Sequence, residues 1–389
     1  MKVALVYDRL NKWGGAERVM LALHKLFPLA PLYSSVYDKK KAPWALRFNS
    51  GQAKIKTSFL QNFPFAMRHE LYAGLMPLAF ESFNFDEFDL VISITSEAAK
   101  GIITKPQTKH ICYCLTPTRY LWSGYKDYFN NPVLRFLSFP VVWYLKFWDK
   151  IAAQRPDAYI AISKEVQMRI KKYYGRESTV VYPPIEISNL KSQISNKSQN
   201  AKYKIQNIPY FLIVSRLVPY KKIDLAIRTF NKLKLPLKII GTGSQMQELK
   251  SMAEPTIELL GNLTDKELVR YYSECCALVF PGPEDFGLTI LEAQVFGKPV
   301  IAFRGGGALE TIIEKKTGVF FEEQTIESLT KTIKQFNKMK FDPRDCIEQA
   351  NKFNFKVFEE RFMQEILRLM PRAAGIAFGD ARQDDINKL

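Results

Sequence analysis

The chain has 389 residues, enough for two or three domains at roughly 100–200 residues each. Hydrophobic residues make up 47% and charged residues 24%, a globular mix that excludes wholesale disorder, collagen and a coiled-coil rod. The net charge of +17 is uneven: residues 1–187 carry 26 basic against 15 acidic residues, the remainder 30 against 24. The first half is therefore expected to meet something anionic, and nucleic acid, an anionic membrane face and a phosphorylated substrate all fit.

At the start, Met1-Lys2 leads at once into the apolar run Val3–Tyr7, which ends at Asp8-Arg9. That run is too short for a secretory leader and reads as a first buried strand. No uncharged apolar stretch reaches about 18 residues, so no transmembrane helix is expected. Cys112, Cys114, Cys275, Cys276 and Cys346 form no Cys-x-x-Cys pair and are odd in number. Reduced thiols of a cytoplasmic enzyme are expected rather than a disulfide framework or a zinc site.

Short apolar runs alternate with amphipathic stretches. Val3–Tyr7, Leu90–Ile94, His110–Leu115 and Ala158–Ile162 read as buried strands in the first half, and Phe211–Val214, Leu237–Ile240, Ala277–Phe280 and Val300–Phe303 in the second. Helical patterns lie between them at Gly15–Leu26, Lys164–Tyr174, Ile223–Leu233 and Leu288–Phe296. This alternation predicts an α/β fold of doubly wound parallel sheets covered on both faces. It pauses once, over a polar stretch without period, so 188–207 reads as a linker after the stiff Tyr182-Pro183-Pro184. Two Rossmann-like domains facing a cleft follow, at 1–187 and 208–355, with a last helix at Lys356–Met370 and a polar tail to Leu389. Leu134–Lys150 sets Phe136, Phe139, Trp143, Tyr144, Phe147 and Trp148 among Arg135, Lys146 and Lys150. Aromatics at helical spacing usually pack inside, so this stretch reads as a core helix bent at Pro140; an interfacial helix on an anionic membrane is the other reading.

Five loops that follow strands carry the candidate chemistry. After Val3–Tyr7, Gly14 and Gly15 open a helix, and the absence of Cβ atoms lets a diphosphate approach the helix start. After Phe211–Val214, Arg216 and Lys221 stand at the carboxyl edge of a sheet, where doubly wound folds bind ligands. Arg216 suits bidentate phosphate contact and Lys221 a mobile point charge. Gly241 and Gly243 follow the next strand but lack the third glycine of a dinucleotide fingerprint. After Ala277–Phe280, Glu284 lies in a loop and Glu292 about two turns into a helix whose start, Phe286, Gly287, Leu288 and Thr289, presents amide N–H groups. Carboxylate acceptors beside N–H donors suit a sugar nucleotide. A glycosidase acid/base pair fits poorly, because Glu292 would point away from a bond held near Glu284. The glycine run Gly305–Gly307 either lines the same site or serves as a crossover.

Together these residues resemble the retaining glycosyltransferases of family 4. Glu284 and Glu292 match that family's E-x7-E signature, Arg216 and Lys221 its donor-phosphate cations, and Gly14-Gly15 its N-terminal glycine loop. Thr116–Trp122 and Val181–Pro184 are most similar to the bacterial O-antigen mannosyltransferases. The resemblance implies a GT-B fold, with the acceptor mainly on the first domain and the nucleotide sugar mainly on the second. It implies that Arg216 and Lys221 bind the diphosphate, that Glu284 holds the donor sugar, that Glu292 holds the ribose, and that no metal or other cofactor is needed. It also implies that the last helix crosses back to the first domain. The expected activity is transfer of mannose from GDP-mannose to a lipid-linked oligosaccharide acceptor in surface polysaccharide synthesis, in the cytoplasm, with peripheral contact at the inner membrane face. Many relatives carry a His where this chain has Leu115; His24, His69 and His110 read as structural. Another nucleotide-sugar GT-B enzyme, a UDP-sugar transferase or 2-epimerase, is the nearest alternative. A basic nucleic-acid- or membrane-binding protein without catalysis ranks behind it, because the basic residues are scattered and form no recognised nucleic-acid motif.

Overall fold

The computed structural model describes residues 1–49, 54–67, 69–125, 131–185 and 209–370. The expected linker at 188–207, the tail from Arg372 and the side chain of His69 lie outside the described residues. The chain divides into two compact units. One is Met1–Pro183 together with the chain from Phe358 onward; the other is Pro184–Val357.

The first unit is built on β1 (Val3–Tyr7), α1 (Gly15–Leu26), β2 (Leu32–Ser34), β3 (Ile55–Thr57), α2 (Met76–Glu81), β4 (Leu90–Thr95), β5 (Lys109–Cys114), α3 (Pro132–Ala152), β6 (Ala158–Ala161), α4 (Lys164–Tyr174) and β7 (Thr179–Val180). Its seven strands run parallel in the order β3-β2-β1-β4-β5-β6-β7. All five residues of β1 are buried, as strands covered on both faces must be. Leu5 stands in register with Leu32 on one side and Ile92 on the other.

The second unit repeats the scheme with β8 (Phe211–Val214), α5 (Ile223–Leu233), β9 (Leu237–Ile240), α6 (Met246–Met252), β10 (Ile257–Gly261), α7 (Asp265–Glu274), β11 (Ala277–Phe280), α8 (Leu288–Val295), β12 (Val300–Phe303), α9 (Ala308–Thr311), β13 (Gly318–Phe321), α10 (Ile326–Phe336) and α11 (Pro343–Asn351). Six parallel strands order as β10-β9-β8-β11-β12-β13. Ile185 N–H donates to the Phe353 carbonyl at 2.8 Å, so the segments that enter and leave this unit lie side by side. The last helix, α12 (Phe355–Leu369), then packs into the first unit. There Phe358 and Phe362 set their rings 6.1 and 5.6 Å from Tyr113 of β5.

One expectation is corrected. Helix α3 is not a core helix. Its inner side buries Val142, Leu145, Trp148, Asp149 and Ala152, but Phe136, Phe139, Trp143, Tyr144 and Phe147 are exposed. The inner side is fixed by a buried ion pair, Lys100 Nζ to Asp149 Oδ1 at 2.5 Å, with Thr118 Oγ1 and Trp122 Nε1 donating to the same carboxylate at 3.0 and 2.7 Å. Burial opposes the Lys100 charge, but the Asp149 carboxylate outweighs it and holds the ammonium pKa above its ordinary value. Gly101 lies beneath Trp148 of the same helix; a methyl group there would meet the indole ring.

His110 is structural. It is fully buried, its Nε2 pairs with Ser93 Oγ at 2.8 Å, and its Nδ1 has no hydrogen-bond partner. Burial, helped by Arg155 and Arg176 and opposed by Asp157, pulls its pKa down to about 3 from 6.5. His24 is half-buried against Phe48, with ring centroids 4.0 Å apart. All five cysteines are free thiols, four of them buried.

Two predictions follow from this packing. Asp149→Ala strands the Lys100 charge in the core and should cost about 3–5 kcal/mol in urea melts, most of it recovered in Asp149→Ala/Lys100→Met. Because His110 is neutral in the fold and takes up a proton on unfolding, its contribution is complete above pH 6.5 and lost as pH falls toward 3. The difference between wild type and His110→Gln should therefore slope by up to about 1.4 kcal/mol per pH unit across that window.

Candidate functional site

In the second sheet the connections wind one way from β8 through β9 and β10, and the other way from β11 through β12 and β13. The loops after β8 and β11 therefore diverge and leave a crevice at the carboxyl ends of these two strands, the switch point of an open α/β sheet. The loop after β8 is pinned by buried Leu217, turns through a short 3-10 stretch at Pro219–Lys221, and enters α5 from Lys222 in a left-handed conformation (φ 56°). This seats Lys221 with only 5% of its surface exposed. Its ammonium forms an ion pair with Glu284 of the loop after β11. The loops touch through backbone: a Cβ at Gly282 would lie 2.6 Å from the Tyr220 carbonyl oxygen and 2.7 Å from that of Lys221. The recess lined by Ser215, Lys221, Gly282 and Glu284 has a volume of about 10 Å³, room for about one water. Both members of the ion pair line it.

Arg216 is exposed and donates from Nη2 to the Tyr220 hydroxyl at 2.5 Å. The Tyr220 ring lies 4.9 Å from the Lys221 ammonium and 6.0 Å from the Arg216 guanidinium. Tyr220 thus engages both cations and is a site residue that the sequence reading missed; an aromatic inside a basic loop was the available signal.

Gly241 and Gly243 pack against the backbone of the same loop. A side chain at Gly241 would strike the Ser215 carbonyl, one at Gly243 the Leu217 carbonyl, and Leu217 N–H donates to Thr242 at 2.9 Å. Backbone approach accounts for both glycines. The run Gly305–Gly307 is neither a free crossover nor an open lining: Gly307 N–H donates to the Glu284 carbonyl at 2.8 Å and buttresses that loop. Gly287 is left-handed (φ 91°) and starts α8, after buried Phe286 and before half-buried Leu288 and Thr289. The first amides of that helix have no intrahelical acceptor. Glu292 is 4% exposed and accepts from the Tyr272 hydroxyl of α7 at 2.6 Å, and Tyr272 stacks on Phe296. Glu284 and Glu292 are thus engaged by different elements, one by the β8 loop and the other by α7.

The first unit has its own switch point, between β1 and β4. Asp8, just past β1, accepts from Thr95 Oγ1 at 2.8 Å, Ser96 N–H at 2.7 Å and Ala99 N–H at 2.9 Å, while Arg9 pairs with Glu97 at 2.5 Å. Burial and the Glu97 charge raise the Asp8 pKa above the usual carboxylate range despite those donors. Gly14 and Gly15 open α1 here, and Glu17 behind them is buried against the Tyr7 hydroxyl at 2.5 Å. Leu115 is buried and extends the ladder through its N–H to Thr95 at 2.8 Å. Asp8, Glu17 and Glu97 were missed because nothing in their spacing shows that they converge. A surface hollow of about 470 Å³ between α5 and α10 is lined by Lys232, Lys331, Lys334 and Lys338 with Glu327. It runs from Lys232 near the end of α5 along α10 from Glu327 to Lys338, just past that helix, and shares no lining residue with the recess. Among the described residues no three His, Cys, Asp or Glu side chains are grouped to hold a metal ion.

Comparison with known proteins adds to this geometry. Residues 195–353, less than half of the chain, match the family profile described as Glycosyl transferases group 1. The chain is 24% identical to the alpha-1,3/1,6-mannosyltransferase ALG2 of Mus musculus over 319 residues, 73% of this chain and 74% of that protein. It is 27% identical over 150 residues to the GDP-mannose-dependent alpha-(1-6)-phosphatidylinositol monomannoside mannosyltransferase of Mycolicibacterium smegmatis. That match spans 34% of this chain and 39% of the mycobacterial protein. Among solved structures, Anabaena HepE in complex with UDP and glucose has a TM-score of 0.67 at 20% identity, over 94% of this chain and 99% of its own. At that identity the likeness speaks for the fold alone. The fold is GT-B, and the match to the glycosyl transferases group 1 profile is confined to residues 195–353.

Proposed function

We propose that the protein is a retaining, metal-independent glycosyltransferase of family 4, within the O-antigen mannosyltransferase subgroup, that moves mannose from GDP-mannose to a hydroxyl of a lipid-linked oligosaccharide in surface polysaccharide synthesis. The observation that carries this reading is the Lys221–Glu284 pair at the β8/β11 switch point, with Arg216 on the same loop. Its location inside the matched family region supports it, as do two similar proteins whose names state mannosyl transfer, one of them from GDP-mannose.

Cation and carboxylate neutralise each other in the Lys221–Glu284 pair. An arriving diphosphate exchanges Glu284 for phosphate oxygen at the Lys221 ammonium, and Arg216 turns from Tyr220 to a second oxygen. Glu284 is thereby released to accept hydrogen bonds from the sugar's hydroxyls. Glu292, held by Tyr272, serves the ribose, and the amides of Phe286–Leu288 complete the donor contacts within the second unit. In the transfer the bond from the anomeric carbon to the diphosphate oxygen breaks with its electron pair leaving on phosphate. The acceptor oxygen bonds to the same face of that carbon, and its proton passes to the departing phosphate oxygen. No protein nucleophile is required. Arg216 and Lys221 act by meeting the charge that develops on the leaving group, an electrostatic contribution that usually dominates such sites. An acceptor carried on a lipid brings the enzyme to a membrane surface, and peripheral contact with the anionic inner face belongs to this reading.

Arg216→Ala and Lys221→Ala should each lower kcat/KM about 100-fold, roughly 3 kcal/mol; wild-type turnover by both variants overturns the assignment. In a thermal-shift panel of GDP-, UDP- and ADP-sugars at one common concentration, GDP-mannose should stabilise most, by about 2.7 kcal/mol where that concentration is 100 times its dissociation constant, and a larger response to a UDP-sugar would replace the donor. Tyr272→Phe keeps the stacking on Phe296 but removes a hydrogen bond to a charged group. It should raise donor KM about tenfold with a smaller effect on kcat.

A further inference from the structure

Helix α3 has three zones around its axis. Val142, Leu145, Asp149 and Ala152 face inward. Phe136, Trp143 and Phe147, seven and four residues apart and so on one stripe, are 79%, 65% and 61% exposed. Arg135, Lys146 and Lys150 form a third stripe along one edge. Lys146 lies 4.8 Å from the Tyr125 ring and Lys150 5.7 Å from the Trp122 ring, which fixes where that edge runs. The apolar zone widens beyond the helix. Ala73 packs against the cluster of Leu121, Val142 and Leu145, a Cβ on Gly74 would lie 3.9 Å from Val141, and Leu71, Leu75 and Leu78 are exposed on the same stretch. Contiguous exposed apolar surface of this kind marks an interaction site.

Charge decides the occupant. The only acidic residue of α3 is Asp149, which is buried on Lys100, so the outward face offers cations and no carboxylate. A second copy meeting the same face would bring Lys146 and Lys150 again and no outward carboxylate of α3. No helix among the described residues, α3 included, is long and apolar enough to cross a membrane. Resting on the membrane part of the reading above, we infer that the outward face of α3, with Leu71, Leu75 and Leu78 beside it, is the seat for an anionic lipid bilayer. The helix lies in the interface plane, with Phe136, Trp143 and Phe147 among the acyl chains and Arg135, Lys146 and Lys150 at the headgroups.

The test uses the full chain and vesicles of phosphatidylcholine with or without phosphatidylglycerol, containing no glycan acceptor. The protein should sediment with the phosphatidylglycerol vesicles and be released by salt. Phe136→Ser/Trp143→Ser/Phe147→Ser should weaken partitioning about tenfold or more, and Lys146→Gln/Lys150→Gln about fivefold per charge removed. Trp143 emission should shift to the blue and be quenched by brominated acyl chains, a change absent in Trp143→Phe. Unchanged partitioning of the triple variant, no wild-type binding to either vesicle, or a lipid-free dimer that the triple variant dissolves would each overturn the inference. The thermal response to GDP-mannose separates the two readings. Variants that keep it are folded, whereas its absence from the wild type removes the donor reading and leaves the vesicle result standing.

Discussion

The site depends on a topological constraint before it depends on any residue. A parallel sheet must be covered on both faces, so every strand is followed by a helix that returns along one face or the other. Where the winding reverses, two neighbouring loops part at the carboxyl edge, and polar side chains can gather there without breaking the apolar core. Lys221 and Glu284 meet at that place in the second unit, Arg9 and Glu97 in the first. The core clusters on the two faces of the second sheet, around Phe230 and Leu329 on one side and Leu268 and Ile290 on the other, hold the strands that aim these loops.

Much of the fold was legible because buried parallel strands are almost wholly apolar. The eight runs read as strands from sequence are strands, shifted by at most one residue at their ends. Strands not read from sequence were short or peripheral. β2, β3 and β7 have three, three and two residues, and β10 and β13 stand at the sheet edges. β10 is only part-buried and carries Glu258, so it lacks the continuous apolar signal of central strands; β13 is fully buried and went unread although Val319, Phe320 and Phe321 are apolar. The candidate site was legible at the level of loops: Arg216, Lys221, Glu284 and Gly287 stand where the strand-loop-helix pattern places them. Which residues pair was not. Tyr220 and Tyr272 engage the charged groups across distances that sequence spacing does not encode, and Gly241, Gly243 and Gly307 are explained by carbonyls visible only once the backbone is folded.

The reading of α3 failed for an instructive reason. Periodicity reports that a helix has an apolar stripe, not which stripe is covered. Here two stripes compete, and the buried ion pair settles the orientation. Asp149 cannot leave Lys100 without stranding a charge, so the face carrying Asp149 must turn inward and the broader aromatic face must turn out. A polar contact thus decides which hydrophobic surface the molecule shows.

The second unit is an insertion in the first, since the chain enters it at Pro184 and has left it by Phe358. Phe358 and Phe362 close over Tyr113, a residue made far earlier in synthesis. A ribosome therefore delivers a first lobe whose core stays uncapped until the inserted lobe has emerged, and that inserted lobe can complete its own sheet beforehand. Assembly order thus runs against chain order, and a nascent chain halted before Phe358 would show a finished second lobe tethered to an open first one.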